Sequence, residues 1–254
     1  MPELAELASR LRALHQADEP LVLPNAWDAA TARAVIDAGF PAVATTSSGV
    51  SAALGYQDGE HTPADEMFNA VHRITRVAEG IPVTADIESG YRLPPAEVAK
   101  RLLAAGAVGC NLEDTDHSST DHRLVDATLQ AERLAAFKRA ARDQGVDVVL
   151  NARVDIFLRG EPNVDEAIRR ARLYVEAGAD SIFPIGISDE AAIVSLVKSV
   201  AVPVNVIPAF RGGPSLARLR ELGVRRVSYA GRLFRAFDIE HQRRLAAIKS
   251  WQEI

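Results

Sequence analysis

Short β-rich runs of apolar residues alternate along the chain with longer amphipathic stretches. In the longer stretches apolar residues recur every three or four positions, as in a helix with one buried face. Several of them end in Gly, which favours a helix C-terminus. The short runs predict eight strands, at residues 21–28, 42–48, 83–89, 109–114, 148–155, 181–186, 202–208 and 225–231.

Predicted helices lie between successive strands, for example at residues 29–39, 63–80, 94–106, 128–145 and 163–179. Eight strand-helix units in succession predict an α/β fold, a (β/α)8 TIM barrel. An extra helix from Pro2 to about Gln16 precedes the first strand. A length of 254 residues is common for one barrel, and no linker or repeat divides the chain, so residues 1–254 are predicted to form a single domain.

Composition narrows the class of partner. No apolar run approaches the roughly 20 residues of a membrane helix, and no signal-like start is present, so we expect a cytoplasmic protein without a membrane partner. A formal net charge of -5 argues against nucleic acid. The single cysteine, Cys110, excludes an internal disulfide and a multi-cysteine metal site. The expected partner is a small molecule.

Polar residues gather where the predicted strands end. In a TIM barrel the chemistry lies at these C-terminal strand ends, where the loops converge. Trp27 is a candidate substrate contact among them. The polar or aromatic strand-end residues are Asn25, Trp27 and Asp28 after the first strand, Thr45 to Ser48 after the second, Asp86 and Glu88 after the third, Glu113 and Asp114 after the fourth, and Arg153 and Asp155 after the fifth.

Three of these acids, Asp86, Glu88 and Glu113, come from neighbouring strands and are expected to converge. Unpaired carboxylates in one small volume repel, so they take up protons or bind a cation. Oxygen ligands favour a hard divalent ion, Mg²⁺ or Mn²⁺. The alternative is that the acids cap helices or pair with arginines, namely Arg92, Arg123 or Arg153.

The segment "SSGVSAALGYQDGE", residues 47–60, is predicted to be a Ser/Gly-rich turn. Such a turn presents backbone N–H groups to an anion, although an ordinary connection is the alternative. Asp58 and Glu60 in the same segment are further candidates for the cation site. Arg153 is a rigid two-pronged donor suited to a substrate carboxylate, and its alternative role is an ion pair with Glu113 or Asp155.

Four segments in order, "TTSSGVSAALGYQD", "TADIESGY", "GCNLED" and "LNARVDIF", resemble motifs of the isocitrate lyase and phosphoenolpyruvate mutase superfamily. The resemblance runs from about Pro24 to Arg232. It implies a Mg²⁺-dependent barrel that binds a 2-oxo acid or enolate against the metal and makes or breaks an adjacent carbon-carbon or carbon-phosphorus bond. A homo-oligomer, either a dimer or a tetramer, is also expected.

The same resemblance implies roles for individual residues. Asp86 is the implied direct metal ligand. The resemblance also implies that metal-bound waters are held by Asp58, Glu88 and Glu113. It implies that the backbone around Thr46, Ser47 and Ser48 binds the substrate carboxylate. Arg153 is implied to bind the substrate's acidic groups.

The loop after the fourth strand, "EDTDHSSTDHRLVD", departs from the family pattern. It lacks the cysteine of the Lys-Lys-Cys-Gly-His or Lys-Arg-Cys-Gly-His stretch of lyases. It also lacks the Lys and Asn of phosphonate-forming mutases, whose nearest positions are Ser119 and Asp121. His117 and His122 are candidate proton-transfer groups. Simple shielding of the site by a mobile loop is favoured, because the sequence shows no orienting partner for either imidazole.

The function that follows is Mg²⁺-dependent cleavage of a carbon-carbon bond in a small 2-oxo or 2-hydroxy acid, through a metal-stabilised enolate. The missing cysteine leaves three alternatives within the superfamily. They are an oxaloacetate-type decarboxylase, which needs no base for a hydroxyl proton, a phosphonopyruvate hydrolase and a phosphonomutase.

Two readings from other classes stay open. One is a barrel that only binds a 2-oxo acid. The other is a phosphate-binding aldolase or isomerase barrel that uses Gly212, Gly213 and Gly231 after the last two strands. The second is weakened because no lysine is placed at a strand end to form a Schiff base. All four lysines fall within predicted helices: Lys100, Lys138, Lys198 and Lys249.

Overall fold

The computed structural model describes residues 2–158, 163–208 and 213–251. All eight predicted strands are present in these ranges, and the first is split in two around Pro24. The strands are β1 Leu21–Leu23, β2 Asn25–Ala26, β3 Val43–Thr45, β4 Val83–Asp86, β5 Gly109–Leu112, β6 Val149–Arg153, β7 Ser181–Phe183, β8 Asn205–Val206 and β9 Arg226–Ser228.

Helices alternate with these strands, as the amphipathic pattern predicts. In the described part of the chain, none is long and apolar enough to span a bilayer. They are α1 Pro2–Leu14, α2 Ala29–Asp37, α3 Ser47–Leu54, α4 Ala64–Val77, α5 Pro95–Ala104, α6 Ala127–Asp143, α7 Val164–Glu176, α8 Glu190–Ser199, α9 Leu216–Glu221 and α10 Arg232–Lys249.

Strand pairing is parallel throughout the two described sheets. One sheet has the order β2-β3-β4-β5-β6-β7 and the other β1-β9-β8. Strands β1 and β2 belong to different sheets but follow one another in the chain. A parallel bridge between Ile182 and Val204, the residue before β8, connects β7 with β8. This order confirms the predicted (β/α)8 class, and it brings the carboxyl ends of neighbouring strands to one face.

Helix α1 covers the opposite face, at the amino ends of the strands. Arg12 pairs with Asp180, at 2.9 Å, and with Asp147, at 3.2 Å, and these acids lie one residue before β7 and two residues before β6. The buried Lys138 ammonium contacts the same two acids, each at 2.8 Å. The predicted N-terminal helix is therefore confirmed, and it lies on the bottom of the barrel.

Residues 47–54 form helix α3 rather than the turn that the Ser/Gly content predicts. Apolar packing explains the difference, because Val50 is fully buried against Trp27 and Met67. Gly49 allows this close approach, since a Cβ there would lie 2.7 Å from Thr46 Cγ2 and 3.1 Å from Trp27 Cβ. Small residues thus place the start of a helix, instead of a loose turn, after β3.

A buried histidine joins α1 to the barrel interior. His15 Nδ1 donates to the Leu11 carbonyl at 2.8 Å, and His15 Nε2 lies 3.0 Å from the Arg226 guanidinium. Burial first, and then Arg226, lower the pKa of His15 to about 4. The imidazole is therefore neutral in the folded protein at neutral pH and accepts a hydrogen bond from Arg226.

This pairing predicts an acid-dependent loss of stability. The unfolded chain binds a proton at His15 below pH of about 6.5, whereas the folded chain binds it only below about 4. Stability is therefore lost as pH falls from about 6.5 to 4. We expect wild type to lose about 3 kcal/mol more than His15→Gln over this range in urea unfolding. His72→Gln, on the exposed side of α4, is the control, and identical pH profiles for wild type and His15→Gln would refute the assignment.

Candidate active site

Asp86, the last residue of β4, lies against the first turn of α3. Its Oδ2 accepts hydrogen bonds from the Ser47 backbone N–H at 3.2 Å and from Ser47 Oγ at 3.1 Å. Its own N–H donates to Thr45 Oγ1 at 2.9 Å. Oδ1 is buried and has no hydrogen-bond partner in the structure. One oxygen of this carboxylate is therefore fixed by the protein, and the other is available to a ligand.

A cavity of about 450 Å³ opens beside this carboxylate, at the carboxyl ends of the strands. The first turn of α3 forms one wall, and the start of α10 forms another. Gly231 lets the start of α10 approach α3 closely, because a Cβ at this position would overlap Ser48 Oγ. The polar groups that line the cavity include Thr46, Ser47, Ser48, Asp58, Asp86 and Arg153.

Glu88 lies beyond the end of β4, in a turn with unusual backbone geometry. Its carboxylate accepts from Tyr91 Oη at 2.8 Å and from the Glu60 N–H. The Glu60 carboxylate accepts in turn from the Tyr91 N–H at 2.6 Å and from Ser89 Oγ. Glu60, Glu88 and Tyr91 have φ values of 62°, 50° and 58°. Left-handed backbone is costly for such residues and is typical of functional sites.

The acids of the site influence one another. Burial first, and then the Asp58 carboxylate, raise the pKa of Glu88 to about 8. Burial and the Asp86 carboxylate likewise raise the pKa of Asp58, and burial raises the pKa of Glu113 well above its ordinary range. Such a cluster keeps protons at neutral pH unless a cation compensates its charge.

The residues fit a hard divalent cation. The buried, unpartnered Asp86 Oδ1 offers the kind of oxygen ligand that Mg²⁺ binds. Within the described ranges, no three His, Cys, Asp or Glu side chains are arranged to hold an ion directly. The geometry therefore suits one direct carboxylate ligand with the other acids acting through water, since Mg²⁺ usually keeps several waters.

Arg153, at the end of β6, is held by two buried acids. Its Nε and Nη2 donate to Asp155 Oδ1 and Oδ2, at 3.0 and 2.7 Å, and Nη1 pairs with Glu113 Oε2. Thr115 Oγ1 donates to Asp155 at 2.7 Å and so fixes that carboxylate. Arg153 therefore forms the ion pairs with Glu113 and Asp155 that were the alternative to substrate binding. It also lines the cavity beside Asp86.

His117 has an orienting partner, contrary to the expectation from the sequence. Its Nε2 hydrogen-bonds Glu113 Oε1, and its side chain is only 10% exposed. The sequence hides this contact because it depends on the loop folding back over β5. The loop forms a hairpin with a bridge between Thr115 and Leu124. His122 is exposed, and its ring centroid is 5.7 Å from that of His117.

Other strand-end residues have structural contacts. Trp27 packs edge-to-face on Phe234, at 5.2 Å between ring centroids, and is not among the described residues that line the cavity. Asp28 caps α2 by accepting from the Thr31 N–H at 2.7 Å. The buried Asp114 pairs with Arg170 and Tyr174. Cys110 is fully buried in β5, as an apolar side chain would be.

Sequence reasoning missed several residues of the site. Tyr91 ends the segment "TADIESGY", but its contact with Glu88 depends on the turn. Leu158, Ile185 and Arg235 line the cavity and gave no signal, because isolated aliphatic or basic residues resemble any surface position. The four lysines do lie in helices, as predicted. Of the glycines considered for a phosphate site, Gly212 lies outside the described residues.

Comparison with known proteins supports the resemblance. Residues 11–249 match the phosphoenolpyruvate phosphomutase family. The chain is 31% identical to 2-methylisocitrate lyase of Escherichia coli K12 over 237 residues, which are 89% of this chain and 79% of that protein. A Burkholderia cenocepacia J2315 structure, provisionally named a phosphonomutase, shares 40% identity with a TM-score of 0.86 and covers 96% of this chain and 99% of that one.

A further solved structure is 2,3-dimethylmalate lyase, a member of the phosphoenolpyruvate mutase and isocitrate lyase superfamily. It shares 26% identity with a TM-score of 0.85 and covers 96% of this chain and 87% of that chain. These relatives are enzymes of the carbon-carbon lyase and mutase type, and so is this protein. The chain therefore belongs to the phosphoenolpyruvate phosphomutase family, within the superfamily that also contains isocitrate lyase.

Proposed function

We propose that this protein is a Mg²⁺-dependent lyase that cleaves a carbon-carbon bond in a small 2-oxo or 2-hydroxy carboxylic acid. The observation that carries the proposal is the buried, unpartnered oxygen of Asp86 in a cavity at the strand ends. The 2-methylisocitrate lyase relative supports this choice of reaction. The single-domain organisation, homo-oligomeric state and cytoplasmic location stay predictions.

In this proposal Asp86 binds the ion directly, whereas Asp58, Glu88 and Glu113 hold its water ligands. When bound, the ion stabilises the negative charge that develops on the substrate oxygen as the bond breaks. Ser47 positions Asp86 through two hydrogen bonds, so the ligand is preorganised. Mn²⁺ would suit the same oxygen ligands.

Two groups of the protein are suited to the substrate's acidic groups. The first turn of α3, from Thr46 to Ser48, has N–H groups that lack partners within the helix, and its dipole favours an anion. The Ser47 N–H already donates to Asp86, so the Ser48 N–H is the one left for the substrate. Arg153 lines the same cavity from β6. Asp155 fixes the plane of its guanidinium, so the remaining N–H groups can meet a carboxylate without further ordering.

His117 is the proposed group for proton transfer, because Glu113 orients its imidazole. We expect His117→Ala to lower kcat at least tenfold, since a positioned acid or base typically contributes a hundredfold or more. His122→Ala removes an exposed imidazole and should keep near-normal kcat. Steady-state kinetics on both variants is the test. Equal, small effects would instead favour a loop that only shields the site.

The loop sequence favours one alternative reaction as the second candidate. No cysteine stands in residues 113–126, where lyases of the superfamily carry one. Decarboxylation of an oxaloacetate-like acid needs no base for a hydroxyl proton, so this departure favours it as the second candidate. Phosphonopyruvate hydrolysis and phosphonate transfer use the same acidic substrate class and belong in the same assay.

A substrate screen tests the proposal. Oxaloacetate, 2-methylisocitrate, isocitrate, malate-type acids and phosphonopyruvate are assayed with Mg²⁺ and with EDTA. We expect turnover of a 2-hydroxy or 2-oxo diacid with Mg²⁺ and none with EDTA. Binding without turnover of any compound would indicate a 2-oxo acid binding barrel. Full activity after chelation would contradict the metal assignment.

A further inference from the structure

A second cavity, of about 360 Å³, lies between the turn after β4, the loop hairpin of residues 115–125 and the first half of α6. We call it the outer cavity. None of the described residues that line it also lines the cavity beside Asp86. The outer cavity is therefore a separate volume, and the proposed reaction places no ligand in it.

Arg133, on α6, carries the unpaired charge of the outer cavity. Its side chain is half-buried, and none of the described residues hydrogen-bonds or forms an ion pair with its guanidinium. Gly90 leaves room for it, since a Cβ there would lie 3.2 Å from Arg133 Nη2. Burial lowers the pKa of Arg133, and the Glu60 carboxylate opposes this only in part. Holding a guanidinium away from water without a partner costs stability, so its position suits an anion supplied from outside the chain.

The other charged groups around the outer cavity already have partners. Glu60 Oε2 lies 3.8 Å from Arg92 Nε. Asp116 Oδ2 lies 3.5 Å from Arg123 Nε. These two acids and two arginines balance one another, so the positive charge of Arg133 is left over. A ligand with one negative charge would neutralise it.

The rest of the wall indicates which anion fits. Leu93, Pro94 and Val125 form an apolar part of it. The hydroxyls of Ser89 and Ser118 already donate to acids of the wall, so they are not free to surround a phosphate. A single guanidinium matches the two oxygens of a planar carboxylate. The wall therefore favours a carboxylate with an apolar body over an inorganic oxyanion.

We propose that the outer cavity binds a small aliphatic monocarboxylate, with the carboxylate on Arg133 and the alkyl chain against Leu93, Pro94 and Val125. The Arg92 side chain is 67% exposed, so it is free to turn from Glu60 towards the same carboxylate. The site uses neither Asp86 nor Arg153. It is therefore independent of the reaction that the protein catalyses.

Calorimetry with the protein in EDTA tests the assignment. Acetate, propanoate, butanoate and inorganic phosphate are titrated separately. We expect affinity to rise about twofold for each added methylene, as for half-buried methylenes, and phosphate to bind more weakly than butanoate. Arg133→Gln should weaken butanoate binding at least about tenfold, since a hydrogen-bonded charge is lost. Arg139→Gln, at an exposed position of the same helix, is the matched control and should bind normally.

Thermal unfolding separates ligand binding from a structural role of Arg133. Without ligand, Arg133→Gln should be at least as stable as wild type, because the variant loses a half-buried charge that has no partner. Butanoate should raise the Tm of wild type and of Arg139→Gln, but not that of Arg133→Gln. A lower Tm of ligand-free Arg133→Gln would show that the guanidinium stabilises the fold, and it would overturn the assignment.

Comparison with Arg153→Lys identifies which cavity holds the carboxylate. Binding that is lost in Arg153→Lys and kept in Arg133→Gln would lie beside Asp86 and would overturn the assignment. Phosphate that binds as tightly as butanoate would overturn it too, as would the absence of butanoate binding at millimolar concentrations. None of these measurements involves Mg²⁺ or turnover, so their failure would leave the proposed function standing.

Discussion

Replacing Asp86 by Asn should abolish Mg²⁺ binding and lower kcat by more than about a hundredfold, the loss typical of removing one electrostatic stabiliser from a reactive site. The amide oxygen can still accept the hydrogen bonds that Ser47 donates, so the position of the first turn of α3 should not change. The fold should also tolerate the change, because one negative charge leaves a cluster of acids that repel one another.

Mg²⁺ titration by calorimetry, kinetics and thermal unfolding together test this expectation for Asp86. Asp65→Asn is the matched control, because Asp65 is an exposed acid paired with Arg101 on the outer surface. The control should bind Mg²⁺ and turn over substrate normally. Retention of wild-type Mg²⁺ affinity in Asp86→Asn would refute its role as the direct ligand.

Arg153→Ala should reduce both substrate affinity and stability. The side chain is 10% exposed and joins Glu113 to Asp155, so its removal leaves two buried carboxylates without their compensating positive charge. Breaking a buried ion pair typically costs about 3 kcal/mol or more. Loss of the same donor to a substrate carboxylate typically costs several kcal/mol of binding free energy. Arg153→Lys should also bind poorly, because a lysine lacks the planar two-pronged donor.

Two measurements separate the roles of Arg153. Urea unfolding reports the ion-pair network, and calorimetry with a 2-oxo acid reports substrate contact. Asp155→Asn weakens the ion-pair network but keeps the Arg153 guanidinium. This variant should therefore lose stability, with a smaller loss of 2-oxo acid affinity than Arg153→Ala. Unchanged 2-oxo acid affinity in folded Arg153→Ala would restrict Arg153 to a structural role.

The periodicity of the chain was sufficient to predict the fold. Apolar runs with turn residues at their ends locate the strands, and regular apolar spacing locates the helices, because both patterns arise from local geometry. Segment 47–54 shows where this fails. Its small residues indicate a turn, but burial of Val50 against Trp27 and Met67 stabilises a helix there. Tertiary packing thus outweighed local preference.

Strand-end placement also identified Asp86, Glu88, Glu113 and Arg153 as a group from the sequence alone. Parallel strands in a barrel bring their carboxyl ends to one face, so the order of the motifs determines which residues are neighbours. Which carboxylate oxygen stays available, however, is not encoded in spacing. Ser47 decides it by occupying one oxygen of Asp86 and leaving the other unpartnered.

The sequence by itself therefore determined the barrel, the acidic strand ends and the absence of the loop cysteine, since each is a property of residue order. Only the tertiary structure paired His117 with Glu113 and held Arg153 between two acids. These contacts join residues from different loops and strands. Their distances depend on how the loops close over the barrel, which no local pattern specifies.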